Sequence, residues 1–505
     1  MHDNKGRIGR AISGVVIFTF AAKILGFCRE LLLSYFFGAT GISDAYLISQ
    51  NIPGTLFQIV GVGLTTCFIP IYYKVKNDNG DINKFTNRVL TIVFSFSTIL
   101  ISIVWAATPF IVKLFASGFK GETLYYAIWF TRIGILSLYF SSMIYVYNSY
   151  LQANNLFYAQ AFAAIPNSLF IMVSIYFGSK YNLWLLSIGS TLAVGVQLQF
   201  LIPSIKKTEY KFGLQFDWKD PYIKKFFKMM TPVIVGVSVN ELNTLIDRTV
   251  ASQVAVGGIS ALTYANSLIN FIQGGLVQPV ATVFYPKITE TVSNKKYQAG
   301  RNLMNRAINL VLGLLIPITI GFLVLSSGVV KFLFGRGAFD ENAAKLTSIA
   351  VVFYAVGICF VGLREFISRY YYANGNSKTP MINTSIGVVI NIILNLILSK
   401  WIGIGGLALA TSISAIVTSI LLVKNTHTKI TSGAIDFDVE ELGKIILSSV
   451  VMGIVCYLVY SYAPVANNTL LLLMTVTVGV TVYFIFGYAL RIQIVSFLMN
   501  FVKRR

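Results

Sequence analysis

The chain has 505 residues, of which 55% are hydrophobic and only 12% are charged, and its formal net charge is +21. A water-soluble protein of this length needs more polar residues to cover its core, so the composition excludes that class. Apolar runs of the ~20 residues that span a bilayer recur along the whole chain, which also excludes a soluble domain with one anchor.

The apolar segments predict an all-α polytopic membrane protein with about fourteen transmembrane helices. They run over 10–38, 42–73, 87–116, 123–153, 156–178, 182–205, 222–252, 257–286, 304–334, 344–374, 379–399, 402–424, 441–463 and 467–490. The first segment is too long for a signal peptide and has no small-residue cleavage site, so we expect it to remain in the mature protein. The longest polar connections are 74–86, 206–221 and 287–303.

The positive charges are distributed unevenly between the two sides of the membrane. If the N-terminus is cytoplasmic, the inner loops and both tails hold 27 of the 40 Lys and Arg residues, and the outer loops hold seven. This asymmetry predicts that both termini are cytoplasmic. The high net charge is then explained by the orientation of the chain in the membrane and by contact with anionic membrane lipids, so nucleic acid is not an expected partner.

Four short motifs recur in the same order at an offset of roughly 216–220 residues, which indicates an internal duplication. The pairs are Gly41-Ile42-Ser43 with Gly258-Ile259-Ser260, Phe68-Ile69-Pro70 with Phe284-Tyr285-Pro286, Val112-Lys113-Leu114-Phe115 with Val330-Lys331-Phe332-Leu333-Phe334, and Tyr150-Leu151-Gln152-Ala153-Asn154 with Tyr371-Tyr372-Ala373-Asn374.

The duplicated unit contains six spans, an even number, so the two copies are parallel repeats. The sequence therefore predicts a six-helix bundle over 1–205, a second over 206–430, and two extra spans with a basic tail over 431–505. Two such bundles enclose a cleft and give alternating access when one rocks against the other. The alternative is a duplicated scaffold that transports nothing.

Ionisable residues within the spans are the candidate site, because each costs at least ~2.5–3.5 kcal/mol at the bilayer centre unless it faces water or a partner. The bases are Lys23, Arg29, Arg132, Arg248, Arg364 and Arg369, and the acids are Glu30, Asp44, Glu241, Asp247 and Glu365. The alternatives are static salt bridges between the bundles and, for Arg132 and Arg369, snorkelling to the interface.

The spacing of four of these residues predicts ion pairs between the two halves. Lys23 and Glu30 lie seven apart on span 1, and Glu241 and Arg248 lie seven apart on span 7 with the signs reversed. Such pairs would close the cleft on one side and break when it opens. Mid-span prolines such as Pro53 predict kinks that are either mobile or static.

Several guanidinium groups in one cavity suit phosphate or pyrophosphate, since arginine offers a matching fork of donors and stays charged. The neighbouring acids are candidates for a coupling site that uses Na⁺, H⁺ or the membrane potential. The four cysteines stand singly in apolar segments and the two histidines lie far apart, so we expect neither a metal site nor a cofactor.

Three segments resemble signatures of the MurJ (MviN) family of lipid II flippases, within the multidrug/oligosaccharidyl-lipid/polysaccharide exporter superfamily. They are Lys23-Ile24-Leu25-Gly26-Phe27-Cys28-Arg29-Glu30 with Asp44-Ala45-Tyr46, Asp247-Arg248-Thr249-Val250-Ala251-Ser252 with the run from Ile259 to Asn266, and Arg369-Tyr370-Tyr371-Tyr372-Ala373-Asn374 with Lys378-Thr379-Pro380. The resemblance covers nearly the whole chain.

The resemblance implies a flippase of the bacterial cytoplasmic membrane that moves undecaprenyl-pyrophosphate-linked peptidoglycan precursor to the outer leaflet, with cell-wall synthesis proteins as possible partners. It implies that spans 13 and 14 form a groove for the lipid tail. The substrate-binding candidates are Lys23, Arg29, Glu30, Asp44, Asn266, Arg248 and Arg364, and the gating or coupling candidates are Glu241, Asp247 and Glu365.

Two positions depart from the family pattern. The family often has arginine shortly after the span 2 proline and after the Tyr-Ala-Asn of span 8, where this chain has Phe57 and Ser267. Alternative functions are export of another undecaprenyl-linked oligosaccharide, cation-coupled drug antiport, and a membrane-embedded glycosyltransferase or polymerase. The excess of basic residues disfavours drug antiport. A glycosyltransferase would need an acidic catalytic pair, and Asp340-Glu341 is the only acidic pair among the short outer loops. Such a pair is also typical of a helix N-terminus.

Overall fold

The computed structural model describes residues 2–430 and 435–495, and of these the side chains of 2–16 and 429 lie outside the described part. The described residues form helices and contain no strand. The helices are α1 His2–Phe37, α2 Gly41–Asn77, α3 Ile82–Phe115, α4 Gly121–Gly134, α5 Ser137–Ala153, α6 Tyr158–Lys180, α7 Trp184–Lys206, α8 Pro221–Val254, α9 Gly258–Ile272, α10 Gln278–Ser293, α11 Tyr297–Phe334, α12 Glu341–Ala373, α13 Lys378–Ile402, α14 Ile404–Lys429, α15 Val439–Tyr462 and α16 Asn468–Ala489.

Side-chain caps set where several helices begin, because the first-turn N–H groups have no partner within the helix. The Asp81 carboxylate accepts from the Lys84 amide ahead of α3, and that of Asp220 accepts from the first-turn amides of α8. Asp340 caps α12 in the same way, and Glu341 forms an ion pair with Lys331 at 2.9 Å. The interpretation of Asp340-Glu341 as a helix start is confirmed.

Twelve helical segments among the described residues are long and apolar enough to cross a membrane, and α4 with α5 makes a thirteenth if this pair, bent by 45°, is one span. The fold class predicted from the sequence is thus confirmed. The first predicted span, 10–38, coincides with α1 up to Phe37, but the side chains of its first residues lie outside the described part. The count of fourteen therefore stays a prediction.

Three of the mid-span prolines can be compared with the backbone. The helix α2 continues through Pro53 and α8 continues through Pro232. Pro279 instead follows a π-helical turn, Gln273–Val277, that separates α9 from α10. Such turns widen the helix by one residue and occur frequently at functional sites.

The first compact unit is Met1–Ser260. In it α1 packs on α6, and α2 packs on α4, α5 and α8. Its core contains the fully buried side chains of Leu64, Phe68, Phe85 and Phe226, the last of which belongs to α8. This unit extends past the predicted repeat boundary at 205/206, because α8 packs on α2 and α3. The repeat boundaries themselves stay a prediction.

The second compact unit is Ala261–Arg505. Its α12 and α13 pack on α14, and α11 packs on α12 and on the two last helices, α15 and α16. The Tyr483 hydroxyl on α16 donates to the Gly313 carbonyl on α11 at 2.6 Å, and Ile445 and Cys456 of α15 are buried in the same cluster. The two extra helices are therefore joined to this unit through α11.

Candidate functional site

Helix α8 is packed at both ends and open in the middle. Its buried residues are confined to Ile223, Phe226 and Met230 near the start and Val250, Ala251 and Ser252 near the end. The intervening stretch, 231–249, is half-buried or exposed and carries Glu241, Asp247 and Arg248. A helix that is charged and unpacked along its centre, yet fixed at its ends, is suited to lining a wet cavity.

At the C-terminal end of α8 several loops are held together by hydrogen bonds. Asp44 is 1% exposed, and its carboxylate accepts from the amides of Gly257 at 2.8 Å and Ser260 at 2.7 Å and from the Ser260 hydroxyl at 2.6 Å. The Ser252 hydroxyl accepts from the Gly118 amide at 3.1 Å. We call these five residues, Asp44, Gly118, Ser252, Gly257 and Ser260, the latch.

The latch is packed so closely that two of its members must be glycine. A Cβ atom on Gly118 would lie 2.0 Å from the Ser252 carbonyl oxygen, and one on Gly257 would lie 2.0 Å from the Ala39 carbonyl oxygen. Gly257 also has φ +78, in the left-handed region that favours glycine. The latch joins the α1–α2, α3–α4 and α8–α9 connections. These follow predicted spans 1, 3 and 7, so all three are predicted to lie on the outer side of the membrane.

Asp44, predicted to bind substrate, is thus the N-terminal cap of α9. Its negative charge meets the positive end of that helix, and three donors satisfy it. Arg248 lies near enough to Asp44 for their charges to attract, and its guanidinium donates to the Ile259 carbonyl at 3.4 Å. Asp44 is therefore part of the latch, and Arg248 lies beside it.

The remaining candidates in the first unit occupy separate positions. Glu30 is 6% exposed and forms an ion pair with Arg29, its neighbour on α1, at 2.9 Å. Lys23 is exposed on the same helix. Glu241 lies beside Thr55, two residues after Pro53 of α2. Glu30 is thus paired within α1, and the predicted ion pairs between span 1 and span 7 stay a prediction.

The second unit holds a polar cluster next to the π-helical turn. The Arg369 guanidinium donates to Glu365 at 2.7 Å and to the side-chain oxygen of Gln278 at 3.1 Å, and it lies 5.7 Å from the Tyr285 ring centroid. Gln278 also donates to Glu365 at 3.4 Å. These contacts explain how α12 carries charges within a span.

Two further candidates of this unit stand apart from those contacts. Arg364 is half-buried, five residues before Arg369 on α12. Asn266 is exposed on α9, where its side-chain oxygen accepts from Asn270 at 3.1 Å.

Arg369 should stabilise the fold, since Glu365 and Gln278 both depend on it. Arg369→Ala is expected to lower the free energy of unfolding by about 1.5–3 kcal/mol, the range for a hydrogen bond to a charged group. Thermal unfolding of the purified protein measures this, with Arg364→Ala as the control on the same helix. Equal melting temperatures for Arg369→Ala and the unsubstituted protein would contradict the prediction.

Sequence reasoning missed the partners of the charged residues. Gly257, Thr55 and Gln278 carry no charge, and only the repeated Gly-Ile-Ser motif hints at Ser260. Phe57 is 2% exposed, and its ring lies 5.5 Å from that of Tyr145, so this departure from the family pattern serves the core.

Arg132, for which snorkelling was one interpretation, lies 4.8 Å from the Trp129 ring centroid and 5.8 Å from that of Trp105. The guanidinium is thus held by two aromatic rings, an arrangement common near membrane interfaces.

Comparisons with known proteins agree with this architecture. The family model described as lipid II flippase MurJ matches residues 33–487. The lipid II flippase MurJ of Thermosipho africanus (strain TCF52B) is 30% identical over 446 residues, which cover 88% of this chain and 89% of that protein. A solved lipid II flippase MurJ in an inward closed conformation has a TM-score of 0.82 at 29% identity, covering 93% of this chain and 97% of that one.

A more distant likeness indicates the fold alone. An inward-facing multidrug resistance MATE family transporter of the MOP superfamily has a TM-score of 0.65 at 13% identity, covering 79% of this chain and 92% of that one.

Proposed function

Because the chain belongs to the MurJ family of lipid II flippases, we propose that it carries lipid II from the inner to the outer leaflet of the bacterial cytoplasmic membrane by alternating access. The substrate class is an undecaprenyl-pyrophosphate-linked peptidoglycan precursor. Transport breaks and forms no covalent bond, so the residues named above bind, orient and gate the substrate.

The observation that carries this proposal is the charged, half-buried centre of α8 between two packed ends. Ionisable groups within a membrane are costly, and a static scaffold gains little from keeping them on a helix face that is not packed in the core. A carrier needs such groups, because the pyrophosphate must exchange its hydration for protein donors on the way across. Lys23, Arg29 and Arg364 are the bases proposed to contact it.

The latch is the proposed gate on the outer side. Its hydrogen bonds join backbone and short side chains, so it closes tightly and opens by loss of a few bonds. Glu241, Asp247 and Glu365 are the acids proposed for gating or coupling, with Na⁺, H⁺ or the membrane potential as the energy source. Both termini are proposed to be cytoplasmic, from the charge asymmetry of the loops.

Depletion of the protein in cells, followed by a leaflet-specific assay of lipid II, tests the function. We expect lipid II to accumulate on the cytoplasmic side and re-expression to reverse this. Arg29→Ala should fail to restore flipping, whereas Arg132→Ala, whose guanidinium lies on tryptophan rings, should restore it. An unchanged lipid II distribution with loss of capsule or another wall polymer would instead indicate a different undecaprenyl-linked glycan.

A further inference from the structure

The connection between α7 and α8, a polar loop by its sequence, is bound along the start of α3. The Lys211 amide donates to the Asn83 side chain at 3.3 Å, the Asn87 side chain donates to the Lys211 carbonyl at 2.9 Å, and the Gln215 amide donates to the Thr91 hydroxyl at 3.0 Å. The three α3 residues are spaced by four and share one helix face. We call residues 208–220 the strap, and it follows α3 over about 12 Å.

Both ends of the strap are fixed. At its start the Tyr210 ring lies 5.2 Å from the ring of Tyr150, and its hydroxyl donates to Asn87. At its end Asp217 forms an ion pair with Arg88 at 3.0 Å, and Asp220 pairs with the same guanidinium. The strap is therefore a built part of the first unit, and its side chains hold defined directions.

Between residues 212 and 218 of the strap, every second residue is large, apolar and exposed. The exposed fractions are 57% for Phe212, 68% for Leu214, 67% for Phe216 and 51% for Trp218. The Gln215 amide between them is directed to α3, and the Trp218 ring also lies 5.0 Å from the Phe227 ring of α8, so the polar side of the strap is bound and its apolar side stays largely exposed. Four such side chains in water at one place would be an aggregation hazard for a soluble surface.

The position of the strap indicates that membrane lipid covers its apolar side. It joins the ends of two membrane-spanning helices, and its contacts on α3 run from Asn83 to Thr91, across the start of the predicted span 87–116. This is the depth of the membrane–water interface, where aromatic side chains concentrate. The exposed lysines around it are Lys206, Lys207, Lys211 and Lys219, and together with Arg88 they outnumber the three acids Glu209, Asp217 and Asp220 by two charges.

We propose that the strap is a membrane-surface anchor, in which Phe212, Leu214, Phe216 and Trp218 insert between the headgroups of the leaflet next to it. The four lysines bind anionic phospholipid headgroups of that leaflet. A short apolar stripe flanked by basic residues is the arrangement by which peripheral segments bind such surfaces. Because the strap leads directly into α8, this anchor fixes the start of α8 at the bilayer surface.

Spin labelling of the full-length protein in liposomes of phosphatidylcholine with phosphatidylglycerol tests the insertion. The label is placed at Phe216→Cys in a variant whose four native cysteines are replaced by serine. Phe110→Cys on the exposed face of α3 marks the lipid phase, and Asn294→Cys, in an exposed turn, marks the aqueous phase. We expect the Phe216→Cys label to be relaxed by oxygen and protected from a water-soluble nickel complex, as at Phe110→Cys.

Two results would overturn the insertion. Relaxation by the nickel complex, as at Asn294→Cys, would place the strap in water and leave its apolar side for a protein partner. Protection from both oxygen and nickel would place it inside the protein.

The lysines have a separate test in the same samples. Raising phosphatidylglycerol from none to about a third of the lipid should deepen the label at Phe216→Cys. Combined Lys→Gln substitution at the four lysine positions should remove that dependence and leave the insertion itself. A label depth that is equal in neutral and anionic liposomes would overturn the role of the lysines.

Discussion

Replacement of Asp44 with alanine is expected to abolish lipid II flipping and to leave the latch open. The change removes the acceptor of three donors, the amides of Gly257 and Ser260 and the Ser260 hydroxyl. A buried donor left without a partner costs about 1–3 kcal/mol. At about 1.4 kcal/mol per factor of ten, a total loss of ~3 kcal/mol shifts the closed-to-open equilibrium by at least ~100-fold.

A crosslink across the same loops reports the latch directly. The side chains of Ser117 and Gln253 are hydrogen-bonded at 2.7 Å, so cysteines at these two positions should react with a short bifunctional reagent when the latch is closed. Asp44→Ala should lower the crosslink yield and abolish complementation in depleted cells. Asp44→Asn, which keeps one acceptor oxygen, should be intermediate.

Asn51→Ala is the matched control for Asp44→Ala. It lies on the same helix, where its amide donates to the Leu47 carbonyl of its own turn at 2.8 Å, and it should leave both measurements unchanged. A low crosslink yield together with full complementation in Asp44→Ala would show that closure of the latch has no part in transport, whereas a full crosslink yield would show that Asp44 is not needed to close it.

The fold could be predicted from the sequence because a bilayer imposes a length and a polarity on every span. Apolar runs therefore mark the helices whatever they pack against. The break between α4 and α5 could not be predicted, since 123–153 is one apolar segment without proline. It falls where Gly134 approaches the Ser49 carbonyl of α2, a contact between distant segments that no local pattern encodes.

The candidate site was predictable in its charges and not in its pairings. Helical spacing tells which residues share a face, but it does not tell which helix lies opposite. For example, Glu30 pairs with Arg29, its neighbour on the same helix, and helical spacing does not predict this pair. The partner of Asp44 lies 216 residues further along the chain. The duplication held a clue, because Ser43 and Ser260 are equivalent positions of the repeated motif and their hydroxyl oxygens lie 2.9 Å apart.

A single added methyl group at Gly118 is expected to reduce flipping by at least tenfold. Gly118 lies in a turn, and a Cβ there would stand 2.0 Å from the Ser252 carbonyl oxygen and 2.7 Å from the Gln253 amide nitrogen. Both neighbours are backbone atoms, so no side-chain rotation relieves the overlap. The end of α8 must move away, which also breaks the bond from the Gly118 amide to Ser252.

Because Gly118→Ala removes no charge, it separates closure of the latch from any binding role of Asp44. The crosslink between Ser117→Cys and Gln253→Cys should fall together with flipping. Gly321→Ala is the control, since a Cβ there meets nothing within 4 Å and alanine favours the helix by up to about 1 kcal/mol. If the latch still closed in Gly118→Ala and flipping was nevertheless lost, the region would act on the substrate. If the latch stayed open and lipid II was still flipped, closure on this side would be dispensable for alternating access.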